Sequence, residues 1–227
     1  MGAQNFDKSF PLIKQSAELG NSEAQYNFGV SLQYGYGTVK NETLAFEWYL
    51  KSAKQGWNDA LYKMMMAHAT GKNIEQDYQK AFQFALECAE NDDPTCMLNA
   101  VSCYKEGMGT EINIEKMMDW AIRLGRLENP ENLVRSGKIT SARLNLAYMY
   151  RDGIDVEKDV IKSYAWFLIF NEFKRDLSYL LQQSIVKKIK TIEKILSIGQ
   201  KRNGQSNAED ILGRQLKNME NLYKAEM

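Results

Sequence analysis

An all-α fold, a right-handed α-solenoid of helix-turn-helix repeats about 36 residues long closed by C-terminal capping helices, is what this sequence predicts. Three columns of residues carry that expectation. Ala24, Ala60, Cys96 and Ala142 follow one another at steps of 36, 36 and 46 residues. The same steps carry Trp48 to Phe84, Trp120 and Trp166, and Gly35 to Gly71, Gly107 and Gly153. A fixed period of this size marks stacked units, none of which buries its apolar face alone. Only 3 prolines occur in 227 residues, and the abundant Leu, Ala, Lys, Glu and Met favour helix over strand.

Residues 6–20 read as an incomplete leading copy whose second helix runs over 6–19, since Ser9, Leu12, Ala17 and Gly20 stand 36 before Ala45, Trp48, Ala53 and Gly56. In the first full copy Ser22 is expected to cap helix A over 23–34, whose apolar and small residues are Ala24, Phe28, Gly29 and Leu32. The Gly35-Tyr36-Gly37 loop ends it, because glycine accepts the positive φ of a helix exit. Asn41 caps helix B, which carries Leu44, Ala45, Trp48, Tyr49 and Ala53 to about Gln55. Copies two and three repeat the plan at 59–70 with 79–90 and at 95–106 with 115–126. The step of 46 then places an exposed insertion near 126–138, with Pro130 and Gly137, before copy four at about 140–172.

Past residue 172 the period stops. Leu177, Leu181, Ile185, Ile189, Ile192 and Leu196 form an apolar stripe opposite Lys187, Lys188, Lys190 and Lys194, which predicts one long amphipathic capping helix over 175–198. Gly199 to Asn207 reads as a polar linker, followed by a last helix near 208–224. The expected organisation is therefore a repeat array over 1–172 and a cap over 173–227.

Apolar residues make up 44% and charged residues 26% of the chain, enough hydrophobic material to fold, and the formal net charge is zero. That balance argues against a basic nucleic-acid binder. The longest apolar run, Tyr164–Phe170, falls far short of the roughly 20 residues that cross a bilayer as a helix. Gly2 to Leu19 has charges at Asp7, Lys8 and Lys14 and lacks the continuous apolar centre of a secretory leader.

The segments Ala24-Gln-Tyr-Asn-Phe-Gly29, Gly35-Tyr-Gly37, Ala45-Phe-Glu-Trp-Tyr49 and Ser52-Ala-Lys-Gln-Gly56 together resemble the Sel-one-like repeat (SLR) family, relatives of tetratricopeptide repeats with a longer loop between the helices. Copies one and four match best. Copy two has Asn73 for the second loop glycine, copy three has Met117 for the helix-B alanine, and copy four has Asp155 and Ser163 at those places. The resemblance implies an adaptor, scaffold or regulator that binds another protein on its concave face. An immunity protein that neutralises a bacterial toxin is the alternative, and a β-lactamase-like cysteine-rich enzyme the remote one. The tetratricopeptide relatives present one stripe of helix A inward. Carried over by column, that stripe gives Tyr26, Val30 and Tyr34, then Tyr62 and Met66, then Lys105, and finally Tyr148 and Arg151 as partner-binding residues. Packing of copy against copy is the competing reading for each of them.

The chemical readings are weaker. His68 is the single histidine, its column holds Leu32, Tyr104 and Tyr150, and no serine or cysteine beside it suggests a nucleophile and base. No catalytic residue, cofactor or metal is expected. The two Gly-x-Gly loops neither follow a strand nor complete a phosphate-binding pattern. Cys88 and Cys96, eight apart across a turn, resemble the pairs that tie adjacent helices by a disulfide in secreted cysteine-rich members of the family. The pattern occurs once here, since Ser52 and Ala60 fill the same columns, and an odd, sparse set of cysteines favours reduced thiols. The expectation is a monomeric, cytoplasmic protein, or a periplasmic or secreted one if a leader was removed.

Overall fold

The computed structural model describes residues 6–217, 219 and 222–225. Residues 1–5, 218, 220, 221, 226 and 227, which include the start of the expected array and the end of the expected last helix, lie outside them. The described residues form eleven α-helices and no strand. They divide into two compact units, one up to Met117 and one from Met118. The boundary expected at residue 172 falls inside the second.

In the first unit α1 (Phe6–Glu18), α2 (Ser22–Tyr34), α3 (Glu42–Ala53), α4 (Asn58–Thr70), α5 (Tyr78–Glu90) and α6 (Pro94–Glu106) each pack on the next in chain order. The division falls within α7 (Ile114–Arg126). Asn21, not Ser22, caps α2, its Oδ1 accepting from the Ala24 amide at 2.8 Å. Asn41 and Asp77 serve α3 and α5 in the same way. The second loop position keeps one conformation whatever residue fills it: φ is 67° at Gly37, 65° at Asn73, 72° at Gly109 and 59° at Asp155. Asn and Asp reach the left-handed region at lower cost than other side chains, so the loop survives the loss of glycine. At Gly109 the requirement is absolute, because a Cβ there would lie 1.9 Å from the Tyr78 carbonyl oxygen.

The aromatic column packs as its period requires. Trp48 of α3 meets Phe28 of α2 edge-on at 4.9 Å between ring centroids, and Phe84 of α5 stacks on His68 of α4 at 5.7 Å. In both copies helix B lays its large residue on its own helix A. Gly29 permits a closer approach, since a Cβ there would stand 2.7 Å from the buried Tyr49 ring.

The second unit holds α8 (Leu133–Asp152), α9 (Val160–Glu172), a 3-10 turn (Lys174–Asp176), α10 (Tyr179–Ile195) and α11 (Ile198–Leu212). The insertion is only partly a loop: its second half extends helix A of copy four backwards to Leu133, capped by Asn132. In α9 every residue from Ser163 to Asn171 is buried, and Trp166 closes on Gly125, where a Cβ would come within 2.7 Å of Cζ3.

The C-terminal helices differ from expectation. The cap begins as a 3-10 turn and its helix ends at Ile195 instead of running unbroken from 175 to 198. The stretch read as a polar linker, Gly199 to Asn207, is helical within α11, and the last helix stops at Leu212 with Gly213 left-handed at φ 65°. A capping box explains the start: the Ser197 hydroxyl accepts from the Gln200 amide while the Gln200 side chain accepts from the Ser197 amide. Small residues explain the packing, because α11 lies on α9 through buried Gly204 and Ala208, which form no recognisable apolar stripe.

Candidate binding surfaces

In the first unit α2 turns Phe28 and Leu32 inward and leaves Tyr26, Val30 and Tyr34 on the other side. Tyr34 is 56% exposed and stacks on Tyr36 with centroids 5.5 Å apart. Tyr26 is half-buried against Tyr49, and burial, with help from Asp59 and Tyr34, raises its hydroxyl pKa. On α4, Tyr62 is 37% and Met66 39% exposed, whereas Ala60 and Leu61 are fully buried. The two helices share a polar bridge: Gln33 Oε1 accepts from the Tyr49 hydroxyl at 2.8 Å and from Lys63 Nζ at 3.5 Å. This bridge fixes a side chain in the middle of the stripe. Val30 is half-buried beside it, and Lys105 is exposed on α6.

Copy four treats its two stripe residues differently. The half-buried Tyr148 accepts a hydrogen bond from Lys188 Nζ of α10 at 2.7 Å, meets Phe167 edge-on at 5.6 Å, and carries the Arg151 guanidinium over its ring at 4.6 Å. Lys188, expected on the solvent side, is therefore committed to α8. Arg151 donates through Nε and Nη2 to Asp152 at 2.7 and 2.6 Å, which raises the arginine pKa and lowers that of the carboxyl. Tyr36 belongs with the exposed aromatics but was not singled out, because it sits in the loop between two glycines and outside the helical stripe.

Little here supports covalent chemistry. His68 lies against Phe84, and its buried Nδ1 has no hydrogen-bond partner. Burial, followed by Glu106, raises the pKa of the Cys103 thiol, which keeps it in the weakly nucleophilic protonated form. Cys88 of α5 and Cys96 of α6 are joined as a disulfide with Cα atoms 5.6 Å apart. The buried Asp93 carboxylate lies within 4.8 Å of both sulfurs, but its Oδ1 already caps α6 by accepting from the Thr95 and Cys96 amides. Three such groups fall short of the four-ligand shell of a structural zinc.

The Sel1 repeat family model matches residues 22–57, 58–93 and 140–169. Among solved structures, a Sel1 repeat protein from Oxalobacter formigenes is 20% identical, with 90% of this chain and 79% of that one covered and a TM-score of 0.59. The protective antigen c5321 of uropathogenic Escherichia coli, which displays an SLR fold, is 21% identical over 99% of this chain and 53% of its own, with a TM-score of 0.41. The immunity protein Pa5087 from Pseudomonas aeruginosa is 17% identical over 88% and 86%, with a TM-score of 0.33.

Proposed function

Because this chain is built on Sel1 repeats, which generally serve as protein–protein interaction modules, we propose that it binds a partner protein along the helix-A face of its first unit and is not an enzyme. One observation carries the reading. α2 and α4 bury one side completely and yet leave Tyr34, Tyr62 and Met66 between 37% and 56% exposed on the other. Tyrosine concentrates binding energy at interfaces, and methionine adapts to a partner's shape. Val30 supplies apolar contact between the tyrosines, and Lys105 a charge at the rim. Tyr148 and Arg151, already engaged by Lys188 and Asp152, contribute less in the free protein.

A photo-crosslinking side chain at position 62, compared with one at exposed Glu87 on α5, tests this in extract of the native organism. Position 62 should trap a protein that position 87 does not, and Tyr62→Ala should weaken that complex by about 30-fold, the scale of one hot spot. Equal trapping at both positions, or full binding by Tyr62→Ala, would overturn the proposal. Steady nitrocefin turnover lost on denaturation would overturn its non-enzymatic part.

A further inference from the structure

Outside the helix-A face, the second unit has a groove of about 560 Å³ along α10, lined by Tyr179, Val186, Lys187, Lys190, Thr191 and Lys194 among others. Lys187, Lys190 and Lys194 are exposed and make no ion pair with any described residue. Their spacing of three and four residues stacks them on one helical face over about 10 Å. α10 does not neutralise them itself. Its single carboxylate, Glu193, accepts from the Tyr164 hydroxyl at 2.7 Å, and its fourth lysine, Lys188, is taken by Tyr148. Three ammonium groups with no carboxylate partner among the described residues therefore line the groove together with buried Val186 and half-open Tyr179.

We propose that this groove docks an acidic amphipathic helix of a partner protein. Such a helix places carboxylates at i, i+3 and i+7 opposite the three lysines and apolar side chains against Tyr179 and Val186. Charge-assisted hydrogen bonds from ammonium groups to carboxylates are the stronger kind. The occupant is a short acidic segment and not a nucleic acid, because the chain has a formal net charge of zero and lacks the long-range pull that gathers a polyanion. None of the residues lining the groove belongs to the proposed helix-A stripe.

The test uses the full chain and a labelled 18-residue helical peptide with glutamates at i, i+3 and i+7 flanked by leucines, read by fluorescence anisotropy. The peptide should bind at least about tenfold more tightly than its glutamine counterpart, as three modest ion pairs allow, and binding should weaken as salt rises. The triple variant Lys187→Glu, Lys190→Glu, Lys194→Glu should lose the acidic peptide and gain the matching lysine peptide, with unchanged helical circular dichroism. Tyr62→Ala should leave acidic-peptide binding intact, which separates this result from failure of the helix-A surface. Equal binding of the glutamate and glutamine peptides, an unaffected triple variant, or tighter binding of oligothymidylate or phosphatidylserine vesicles than of the peptide would each overturn the proposal.

Discussion

Arg143 shows how one residue can be visible in the sequence and its meaning hidden. Its column holds Gln25, Leu61 and Met97, all buried like itself, so copy four places a charge where the other copies place a neutral side chain. The insertion supplies what that charge needs. Nε donates to the Gly125 carbonyl at 2.8 Å, Nη2 to the Leu127 carbonyl at 2.6 Å and Nη1 to Asn129 Oδ1 at 2.6 Å, while the guanidinium lies 4.0 Å from the Phe173 ring centroid. Asn129 in turn donates to the side chains of Ser136 at 2.7 Å and Thr140 at 2.9 Å. Desolvation lowers the arginine pKa to about 10, so it is charged at neutral pH. The column alone recommends a neutral replacement, Arg143→Leu. The structure predicts a cost of about 2–4 kcal/mol, because one buried and two half-buried acceptors lose their donors along with the charge they oriented around. Arg143→Lys should recover only a minor part, since an ammonium cannot reproduce the planar fork. Urea unfolding with the slope unchanged measures both, and a loss under about 1 kcal/mol for Arg143→Leu would show that the turn rearranges without its arginine. The sequence offered the extra residues and the arginine separately, with no shared period to link them.

At the level of elements, the repeat helices were legible because large residues mark both the period and the buried face. The C-terminal region was not, because α11 packs through glycine and alanine. Its helix signals were present in Ser197 and Gln200, but two glycines and many polar residues outweighed them. Those glycines now give opposite predictions. Gly199 has only the Ser197 hydroxyl oxygen near the place of a Cβ, at 4.0 Å, so Gly199→Ala should stabilise by about 0.5–1 kcal/mol through helix propensity. At Gly204 a Cβ would stand 2.6 Å from Tyr164 Cδ1, and Tyr164 is buried with its hydroxyl bonded to Glu193. Gly204→Ala should therefore destabilise by about 1–3 kcal/mol, the usual range for overpacking. Thermal unfolding of the two variants separates them; the same sign for both would return residues 199–207 to the role of a linker. The partner surface was legible only as a stripe of positions. Which of those positions stay open depends on neighbours the period does not encode, as Lys188 over Tyr148 illustrates.

The whole molecule carries an alkaline weakness that follows from the way it uses tyrosine. Burial raises the hydroxyl pKa of Tyr26, Tyr49, Tyr164 and Tyr223 above the ordinary 10.0, with neighbouring tyrosines or carboxylates adding to it. A phenol whose folded pKa exceeds its unfolded one binds its proton more tightly in the native state. Its contribution is complete below about pH 10 and is lost as pH rises toward the folded values. Arg143 acts in the opposite sense, because burial lowers its pKa to about 10 and its release of a proton above that pH favours the folded state. Arg143 stands against four tyrosines and the Cys103 thiol, whose pKa burial also raises, so the raised groups should decide the sign. The melting temperature is expected to stay level from pH 8 to about pH 9, to begin to fall as the thiol ionises, and to fall steeply above about pH 10. Tyrosinate absorbance should rise in two stages, the later one, from the four buried hydroxyls, together with loss of helix. Tyr49 donates to Gln33 at the centre of the proposed interface, so Tyr49→Phe should remove part of the alkaline loss while leaving α2 and α4 folded. Tyrosinate formation in a single smooth step, with helicity untouched at pH 12, would mean that these hydroxyls reach solvent without opening the core.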